Sequence, residues 1–440
     1  MAKNLASQII AWYGDQLDQR IYDAPDAVRW WLQLGFNLTD AKHTVLPDQG
    51  NYRFGQTATK ICLDAVTMAL NDFSEATVTS IFMPSEPFIA MGVHPVSAEA
   101  IANFSSGAHA ERGFVSYAEE SGIPETYCSY HKVLIGMALS GVLEKPRMLA
   151  SCSVACDANN LTFKTLAKLW DVPSVYVDVP YEISEDSIMY VADELRGLAG
   201  KAEEVFGRKI DQDALCTAVA ASQRTLKLLA GSPIQRRDHL AASDMGNEMQ
   251  QALAAHLALG SPETQSMAEQ MGEDFAHAPS YDGLSLVWVH TAPFFSEPLQ
   301  GVLNQSSTAQ IVASEMLFDQ VPLGDETPFR HRADKPFEAM AERLVRNSYN
   351  GPAARRANHI LELCRQTHAD GAVIFCHWGC KETAGAAQLI RRTLERAGFP
   401  ALVLDGDGCD RANCMEGQLS TRMSAFLEML RARQGDAQHG

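Results

Sequence analysis

Short runs of apolar residues alternate with longer helical patterns along most of the chain beyond residue 77. The runs with the length and composition of buried strands are 78–83, 146–151, 174–179, 284–290, 310–314, 371–376 and 401–404. Because helical patterns separate these runs, we expect the strands to lie parallel within sheets that helices cover. The pattern therefore predicts an α/β protein with two doubly wound units.

The segments around these strands are predicted to be helical. Residues 27–34 and 58–70 form helical patches near the N-terminus, and residues 184–270 resemble long helices that bridge the two units. Gly-Ser-Pro runs at 231–233 and 260–262 are expected to interrupt these helices. In the second unit the predicted helices are 353–367, 382–397 and 417–430, the last two with one apolar face each.

This organisation suggests three domains. Residues 1–75 would form a helical cap, residues 76–235 the first α/β lobe, and residues 236–440 the bridging helices with the second lobe. A chain of 440 residues is long enough for two or three separate cores.

Charge and apolar content narrow the possible environments of the protein. With 36 basic and 54 acidic residues the formal net charge is −18, which argues against a nucleic-acid partner. The longest apolar run, residues 133–143, is too short to span a membrane, and residues 1–10 do not resemble a secretory signal. We therefore expect a cytoplasmic location, where the ten cysteines stay reduced.

Three of the cysteines are expected to meet at one edge of the fold. Cys156 and Cys380 each follow a predicted strand, and Cys128 precedes an apolar helical stretch. In open α/β sheets ligands bind beside the carboxyl ends of the strands, where helix N-termini favour negative charge. Three such thiolates could hold a four-iron cluster with one iron open. Buried thiols, or a zinc site, remain alternatives on spacing alone.

Motifs in two regions support a family resemblance. The first region, residues 122–181, contains Cys128-Ser-Tyr, Ala-Cys156-Asp and Val177-Asp-Val-Pro-Tyr. The second contains His377-Trp-Gly-Cys380-Lys, Leu404-Asp-Gly-Asp, Asp410-Arg411, Gln418 and Thr421-Arg422. In order and spacing these motifs resemble the 2-hydroxyacyl-CoA dehydratase and benzoyl-CoA reductase family, of the 2-hydroxyglutaryl-CoA dehydratase D-component type. The resemblance covers most of residues 80–432 and leaves the N-terminal segment unsupported.

The resemblance implies a fold, a cofactor and a reaction. The family has two flavodoxin-like lobes with a [4Fe–4S] cluster between them, and its ligand positions match Cys128, Cys156 and Cys380. An ATP-dependent iron–sulfur activator supplies one electron, and a 2-hydroxyacyl-CoA then loses its hydroxyl group through a ketyl radical. The expected partners are an acyl-CoA thioester, the activator and a related second subunit in a heterodimer, or a second copy in a homodimer.

Two other functions stay open within the same resemblance. One is an ATP-coupled reductase, either a benzoyl-CoA reductase subunit or a protein with a double-cubane cluster. The other is a partner subunit that only relays electrons. The double-cubane alternative stays open because four further thiols lie near the expected cluster region: Cys152, Cys376, Cys409 and Cys414.

Further site residues are predicted with a structural alternative for each. Ser85 and Glu99 could approach the open iron and move a proton, or could cap helices. His377 and Trp378 could shape the substrate pocket, or could be packed core side chains.

Two arginines near the predicted last helix form a second group of this kind. Arg411 and Arg422 could bind the phosphates of CoA, or could pair with nearby aspartates of the same chain.

Several catalytic motifs are missing from the sequence. It has no phosphate-binding loop of the Gly-x4-Gly-Lys-Ser/Thr type and no Gly-x-Gly-x-x-Gly after a strand. It also lacks His-Glu-x-x-His and Gly-x-Ser-x-Gly. The chain is therefore not expected to be the ATPase activator, a nicotinamide dehydrogenase or a hydrolase of these types.

Overall fold

The computed structural model describes residues 5–47, 50–324 and 326–439. The chain begins with three helices, α1 (Leu5–Asp18), α2 (Pro25–Val45) and α3 (Arg53–Asn71), followed by a short 3-10 turn, Phe73–Glu75. The third helix buries most of its length because it packs against α2 and against two later helices. The predicted N-terminal helices are thus confirmed. The domain boundaries stay a prediction.

The first lobe is built on four parallel strands. Its elements in chain order are β1 (Thr77–Thr79), α4 (Glu86–Ala90), β2 (Pro95–Ser97), α5 (Ala98–Gly107), α6 (Glu111–Glu120), α7 (Ser129–Leu139), β3 (Met148–Cys152), α8 (Asp157–Trp170), β4 (Ser174–Val177) and α9 (Glu185–Phe206).

Three long helices lead into the second lobe: α10 (Gln212–Arg236), α11 (Met245–Leu257) and α12 (Pro262–Phe275). The second lobe contains β5 (Leu284–Val289), α13 (Glu297–Leu303), β6 (Ala309–Ser314), α14 (Glu315–Phe318), α15 (Pro336–Arg346), α16 (Ala353–Thr367), β7 (Gly371–His377), α17 (Lys381–Arg396), β8 (Ala401–Gly406), a 3-10 turn (Arg411–Asn413) and α18 (Glu416–His439).

The two sheets have the same topology. Their strand orders are β2-β1-β3-β4 and β6-β5-β7-β8, with every pairing parallel. In each sheet the chain order reverses between the two central strands, and loops leave these strands in opposite directions at that point. Such a switch point is where open α/β sheets bind ligands. The predicted α/β fold with two flavodoxin-like lobes is confirmed.

Strand β2 was missed by the sequence prediction. It consists of only Pro95–Ser97 at the edge of the first sheet. Proline cannot donate a ladder hydrogen bond and is tolerated at an edge or at the start of a strand. A run so short and so rich in turn-forming neighbours carries too little hydrophobic signal to be read as a strand.

The predicted helix break at residues 231–233 is wrong. Pro233 lies inside α10, which continues to Arg236. Proline at this position leaves the carbonyl of Leu229 without its usual N–H donor. The hydroxyl of Ser232 donates to that carbonyl at 2.9 Å and replaces the missing donor, so the helix continues through the proline.

Both faces of the second sheet are buried. On one face Trp288 and Phe375 stack and pack with residues of α13 and α18, and on the other face Val287 and Ile374 join the core that extends into the first lobe. This continuous core holds the two lobes together.

Within the described ranges no helix is both long and apolar enough to cross a membrane.

Candidate functional site

Each of the three predicted cluster cysteines occupies the N-cap position of a helix. Cys128 precedes α7, Cys156 precedes α8, and Cys380 precedes α17. The Sγ of Cys156 accepts a hydrogen bond from the backbone N–H of Asn159 at 3.4 Å. The N–H groups and the dipole of a helix N-terminus stabilise negative charge, including that of a thiolate. All three helices therefore present their positive ends where these sulfurs lie.

The three cysteines line one cavity between the lobes. Cys128 and Cys156 come from the first lobe and Cys380 from the second. Several other lining residues lie at or just after the ends of central strands of both sheets: Ile81, Phe82, Ala155, His290, Thr291 and His377. The cavity thus lies where the switch points of the two sheets face each other.

A single metal ion does not fit this cavity. Among the described residues, no three His, Cys, Asp or Glu side chains come close enough together to ligate one ion. In a polynuclear cluster each thiolate binds a different iron, so the ligands stand farther apart than those of one ion. Three thiols around one cavity are the type of donor that an iron–sulfur cluster requires.

A different histidine lies beside each of these cysteines. The Nε2–Sγ distances are 3.4 Å for His377 and Cys128, 3.6 Å for His290 and Cys380, and 3.9 Å for His131 and Cys156.

All three imidazoles are buried, and burial lowers the pKa of each, to about 3 for His131. The histidines are therefore neutral at pH 7 and add no formal charge to the cavity.

Burial has the opposite effect on the three thiols. It raises the pKa of Cys128, Cys156 and Cys380 above the ordinary value, and the neighbouring thiols raise the pKa of Cys128 further. Without a metal these cysteines are therefore protonated at pH 7. Because thiolates are the ligating form, metal binding at this cavity would release protons.

Glu99 faces the same cavity from the first turn of α5. Burial raises its pKa to about 7, although hydrogen bonds from Ser97 and from backbone N–H groups lower it. Its Oε1 is 3.9 Å from Nε2 of His131, and its buried Oε2 has no hydrogen-bond partner. A carboxyl group with this pKa can exchange a proton near neutral pH.

A buried ion network supports the loop that carries Cys380. The Arg356 guanidinium donates to both carboxylate oxygens of Glu315, at 2.5 and 2.8 Å, and also contacts Glu382 in the first turn of α17. The Tyr349 ring stacks on this guanidinium at 4.2 Å. The backbone N–H of His290 donates to Glu315 at 3.1 Å. The network therefore links the loops after β5 and β7.

Two clefts share lining residues with the cysteine cavity. One, of about 550 Å³, shares Cys156, Tyr349 and Glu382 with the cavity and is also lined by Tyr176 and Tyr181. The other, of about 330 Å³, shares Cys156, Cys380 and Glu382 with the cavity. Open space therefore adjoins the cysteine cavity on two sides.

Comparison with known proteins identifies the family. A profile of the 2-hydroxyglutaryl-CoA dehydratase D-component family matches residues 80–430. The chain belongs to this family. That match confirms the resemblance seen in the sequence motifs and identifies the chain as a dehydratase component, an enzyme of the lyase class.

Individual relatives agree with this membership. The alpha subunit of (R)-phenyllactyl-CoA dehydratase from Clostridium sporogenes is 23% identical over 80% of this chain and 88% of its own length. Lactoyl-CoA dehydratase subunit alpha from Anaerotignum propionicum is 23% identical over 81% of this chain and 90% of its own. The alpha subunit of (R)-2-hydroxyglutaryl-CoA dehydratase from Acidaminococcus fermentans is 20% identical over 65% of this chain and 61% of its own length.

Two residues predicted as part of the dehydratase site lie away from the cavity. Ser85 is buried and donates to the carbonyl of Leu259 at 2.8 Å, so its hydroxyl is not directed to the cysteines and does not cap α4 either. Trp378 is half exposed, with 49% of its surface accessible, and is not among the described residues that line the cavity. The predicted roles of both residues stay predictions.

Both predicted arginines form contacts within the chain. Arg411 pairs with Glu111 at 2.7 Å and lies over the ring of Phe295. It lies in a separate 3-10 turn before the last helix, which begins at Glu416, one residue before its predicted start at residue 417. Arg422 lies on that helix and pairs with Asp405 at 3.4 Å. A CoA-binding role for either arginine stays a prediction.

The sequence prediction missed His131, His290 and Arg356. A local signal existed for one of them, since His131 follows Cys128 by three residues as His377 precedes Cys380 by three. His290 immediately follows β5, a position comparable to that of His377 at the end of β7. Arg356 lies on α16 and has no local signal, because only the tertiary fold brings it to Glu315 and Glu382.

Proposed function

We propose that this chain is the iron–sulfur subunit of a 2-hydroxyacyl-CoA dehydratase, which eliminates water from a 2-hydroxyacyl-CoA thioester. The observation that carries the proposal is the arrangement of Cys128, Cys156 and Cys380, which line one cavity between the lobes at three helix N-termini. Family membership supports the reaction class, since the relatives are named as dehydratases of phenyllactyl-CoA, lactoyl-CoA and 2-hydroxyglutaryl-CoA.

The three cysteines would hold a [4Fe–4S] cluster with one iron free of protein ligands. When bound, the cluster supplies the one-electron chemistry that starts dehydration through a ketyl radical of the thioester. The cavity is largely buried, so water is kept away from a bound cluster. The histidines are neutral, so no imidazolium competes with the iron atoms for the thiolates.

Glu99 is the residue proposed to move a proton during elimination. Its carboxyl lies on the cavity, and its pKa of about 7 allows both protonation states at neutral pH. The Ser85 hydroxyl, which was predicted to approach the open iron, would first have to leave the Leu259 carbonyl.

The network around Arg356 would hold Cys380 in place. Arg356 contacts Glu382, which lies two residues beyond Cys380, and Glu315 fixes the orientation of the guanidinium. The clefts beside the cavity are large enough for part of an acyl-CoA, and the one lined by Tyr176 and Tyr181 is the larger. We propose that the thioester enters through one of these clefts and that its acyl group reaches the cavity.

The proposal includes two protein partners and a location. Because the relatives are named alpha subunits, we infer that this chain assembles with a related second subunit. An ATP-dependent iron–sulfur activator would deliver the electron, and the complex would work in the cytoplasm.

A single cluster per chain is favoured over a double cubane. The thiol of Cys152 is next to the hydroxyl of Ser80 at 3.8 Å, and that of Cys409 is next to the carbonyl of Ala102 at 3.8 Å. Among described residues, only three of the ten cysteines line the cavity. We expect about four iron atoms per anaerobically purified chain, whereas about eight would favour the reductase-like alternative.

A cysteine series tests the cluster site. Replacing Cys128, Cys156 or Cys380 with serine should remove the brown chromophore and most of the iron, because each variant lacks one ligand. Cys62, Cys216 and Cys364 lie outside the cavity, so serine variants at these positions are the matched controls. Iron content and the visible absorption spectrum are measured anaerobically. Equal iron loss in both sets would contradict the proposed ligand set.

An activity assay tests the reaction itself. The chain is purified with its co-expressed second subunit, mixed with activator and ATP, and given a 2-hydroxyacyl-CoA; formation of the enoyl-CoA is followed by mass spectrometry. We expect product only with the complete set of proteins. Reduction of an aromatic or enoyl thioester without dehydration would overturn the dehydratase assignment. A cluster spectrum that ignores the thioester, while that of the second subunit responds, would show an electron relay.

A further inference from the structure

The imidazole of His377 is held in one tautomer. The backbone N–H of Gly408 donates to its Nδ1 at 3.0 Å, so Nδ1 must offer a lone pair and the ring proton must sit on Nε2. The nearest carboxylate oxygen does not change this assignment. Asp407 Oδ1 lies 3.6 Å from Nδ1 and already accepts from the Ser129 hydroxyl and from two backbone N–H groups.

The Nε2–H of this histidine has a sulfur within reach. Nε2 lies 3.4 Å from Sγ of Cys128, and His377 is 2% exposed, so water does not compete for the proton. The Tyr130 ring packs against the imidazole at a centroid distance of 5.1 Å and limits its rotation. A thiolate at Cys128 is therefore met by a donor that is already oriented.

The other two histidines are not fixed in this way. His290 Nδ1 lies 3.4 Å from the Thr291 hydroxyl, which can either donate or accept, and the buried Nδ1 of His131 has no hydrogen-bond partner. Their Nε2–Sγ distances, 3.6 and 3.9 Å, are also longer than that of His377. Of the three Cys–His pairs, only the one at Cys128 has a defined direction of donation.

We propose that His377 donates an N–H···S hydrogen bond to the cluster ligand Cys128 and thereby raises the reduction potential of the cluster. This inference rests on the proposed function. Reduction adds negative charge to a cluster and its sulfurs, and hydrogen bonds to those sulfurs favour the reduced form. His377 acts through Cys128 and is a positioning residue; that it also shapes the substrate pocket stays a prediction.

The test is the midpoint potential of the cluster in anaerobically purified protein, measured by redox titration with electron paramagnetic resonance. His377→Leu removes the donor, and we expect the equilibrium constant for one-electron reduction to fall about tenfold, a midpoint lower by about 59 mV. His377→Gln returns an N–H near the position of Nε2 and should restore most of the difference. His359→Gln is the matched control, because this buried histidine bonds the carbonyl of Phe318 outside the cavity.

A measurement on the unsubstituted protein covers the case in which His377→Leu fails to fold. With isotope-labelled histidine, the reduced cluster should show a weak hyperfine coupling to an imidazole nitrogen, and His377→Gln should lose that coupling.

An unchanged midpoint in a variant that keeps its iron, or no nitrogen coupling in the unsubstituted protein, would overturn the role of His377. Unsubstituted protein that binds no cluster would instead overturn the proposed function.

Discussion

Burial acts in opposite directions on the acids and bases of the cavity, and both effects favour neutral side chains. It lowers the pKa of His131 to about 3 and raises the pKa of Glu99 to about 7. The three histidines of the cavity are therefore neutral at pH 7, whereas Glu99 is partly ionised. These properties could not be predicted from the sequence, because they depend on how both lobes close over the side chains. The cysteines were predictable because they follow strands and match family motifs.

Replacing Glu99 with glutamine should stabilise the protein at alkaline pH. The pKa of Glu99 is about 7 in the folded state against an ordinary value of 4.5, so folding favours its protonated form. The wild type therefore loses stability as the pH rises from about 4.5 through about 7. Glutamine never ionises, so the variant should gain up to about 3 kcal/mol at pH 8 and nothing at pH 4.

The difference in melting temperature between Glu99→Gln and wild type, measured from pH 4 to pH 8, checks this prediction. The activity of the variant should also lose its dependence on a group titrating near neutral pH. A difference in melting temperature that does not vary with pH would show that the carboxyl is hydrated rather than buried.

Arg356 should be among the residues most important for stability. Its side chain is 1% exposed and pairs with Glu315, which is fully buried. Arg356→Met leaves this carboxylate without its charged partner, and breaking a buried ion pair on one side costs about 3–5 kcal/mol. Arg391→Met is the control, because Arg391 forms an exposed pair with Glu395 that contributes at most about 1 kcal/mol.

Chemical denaturation of both arginine variants measures these costs. Iron content should also fall in Arg356→Met, since Arg356 contacts Glu382, which lies in the first turn of α17, two residues beyond Cys380. Equal stability of the two variants would mean that the guanidinium is dispensable for the fold.

The elements of the molecule were predicted best where the hydrophobic signal is continuous. Strand β7 was predicted as 371–376 and observed as Gly371–His377, since five consecutive residues of it are apolar or small and buried. Elements that are short, or that contain a proline, were predicted poorly. Strand β2 begins with proline, and Pro233 looked like a helix break although Ser232 compensates for it. That the three cysteines cap helices followed from their place before helical patterns, but their convergence requires both lobes.

Gly379, which precedes Cys380, packs against the backbone just before and at Cys128, and replacing it should disrupt the site. Its φ is +84°, and a Cβ at this position would lie 2.7 Å from backbone atoms of Tyr127 and Cys128. Gly379→Ala should therefore push the loop before α17 away from Cys128 and reduce iron binding several-fold while the lobes stay folded.

Gly385→Ala is the matched control for this loop. Gly385 is an exposed position within α17 where a Cβ would meet no atom within 4 Å. Alanine there should stabilise the helix by about 1 kcal/mol and leave iron content unchanged. Circular dichroism and iron analysis of both variants separate the two effects; equal iron content would show that the loop tolerates the side chain.

At the scale of the whole molecule, the two sheets share one strand order, and their switch points face each other. The sequence suggested two lobes because strand, cysteine and helix recur in both halves. It did not show how the lobes meet, since that geometry depends on the core that continues from one to the other. The proposed ligands are divided between the lobes, with Cys128 and Cys156 in the first and Cys380 in the second.

This division predicts that cluster binding couples the lobes. A ligand that binds only the folded state stabilises that state, and a cluster that bridges the two lobes should therefore stabilise both of them. Reconstitution with iron and sulfide should therefore slow backbone hydrogen exchange at the first turns of α7 and α8 in one lobe and of α17 in the other, measured by mass spectrometry.

Cys380→Ser distinguishes coupling from local ligation, because it removes the only proposed ligand of the second lobe. If the lobes are coupled, reconstitution of this variant should fail to slow exchange at Asn159 and its neighbours in the first lobe, although Cys128 and Cys156 are still present. Helix α12 lies outside the cavity and serves as the internal reference, since its exchange should not change in either protein. Full protection of α8 in the variant would mean that the first lobe holds the metal alone.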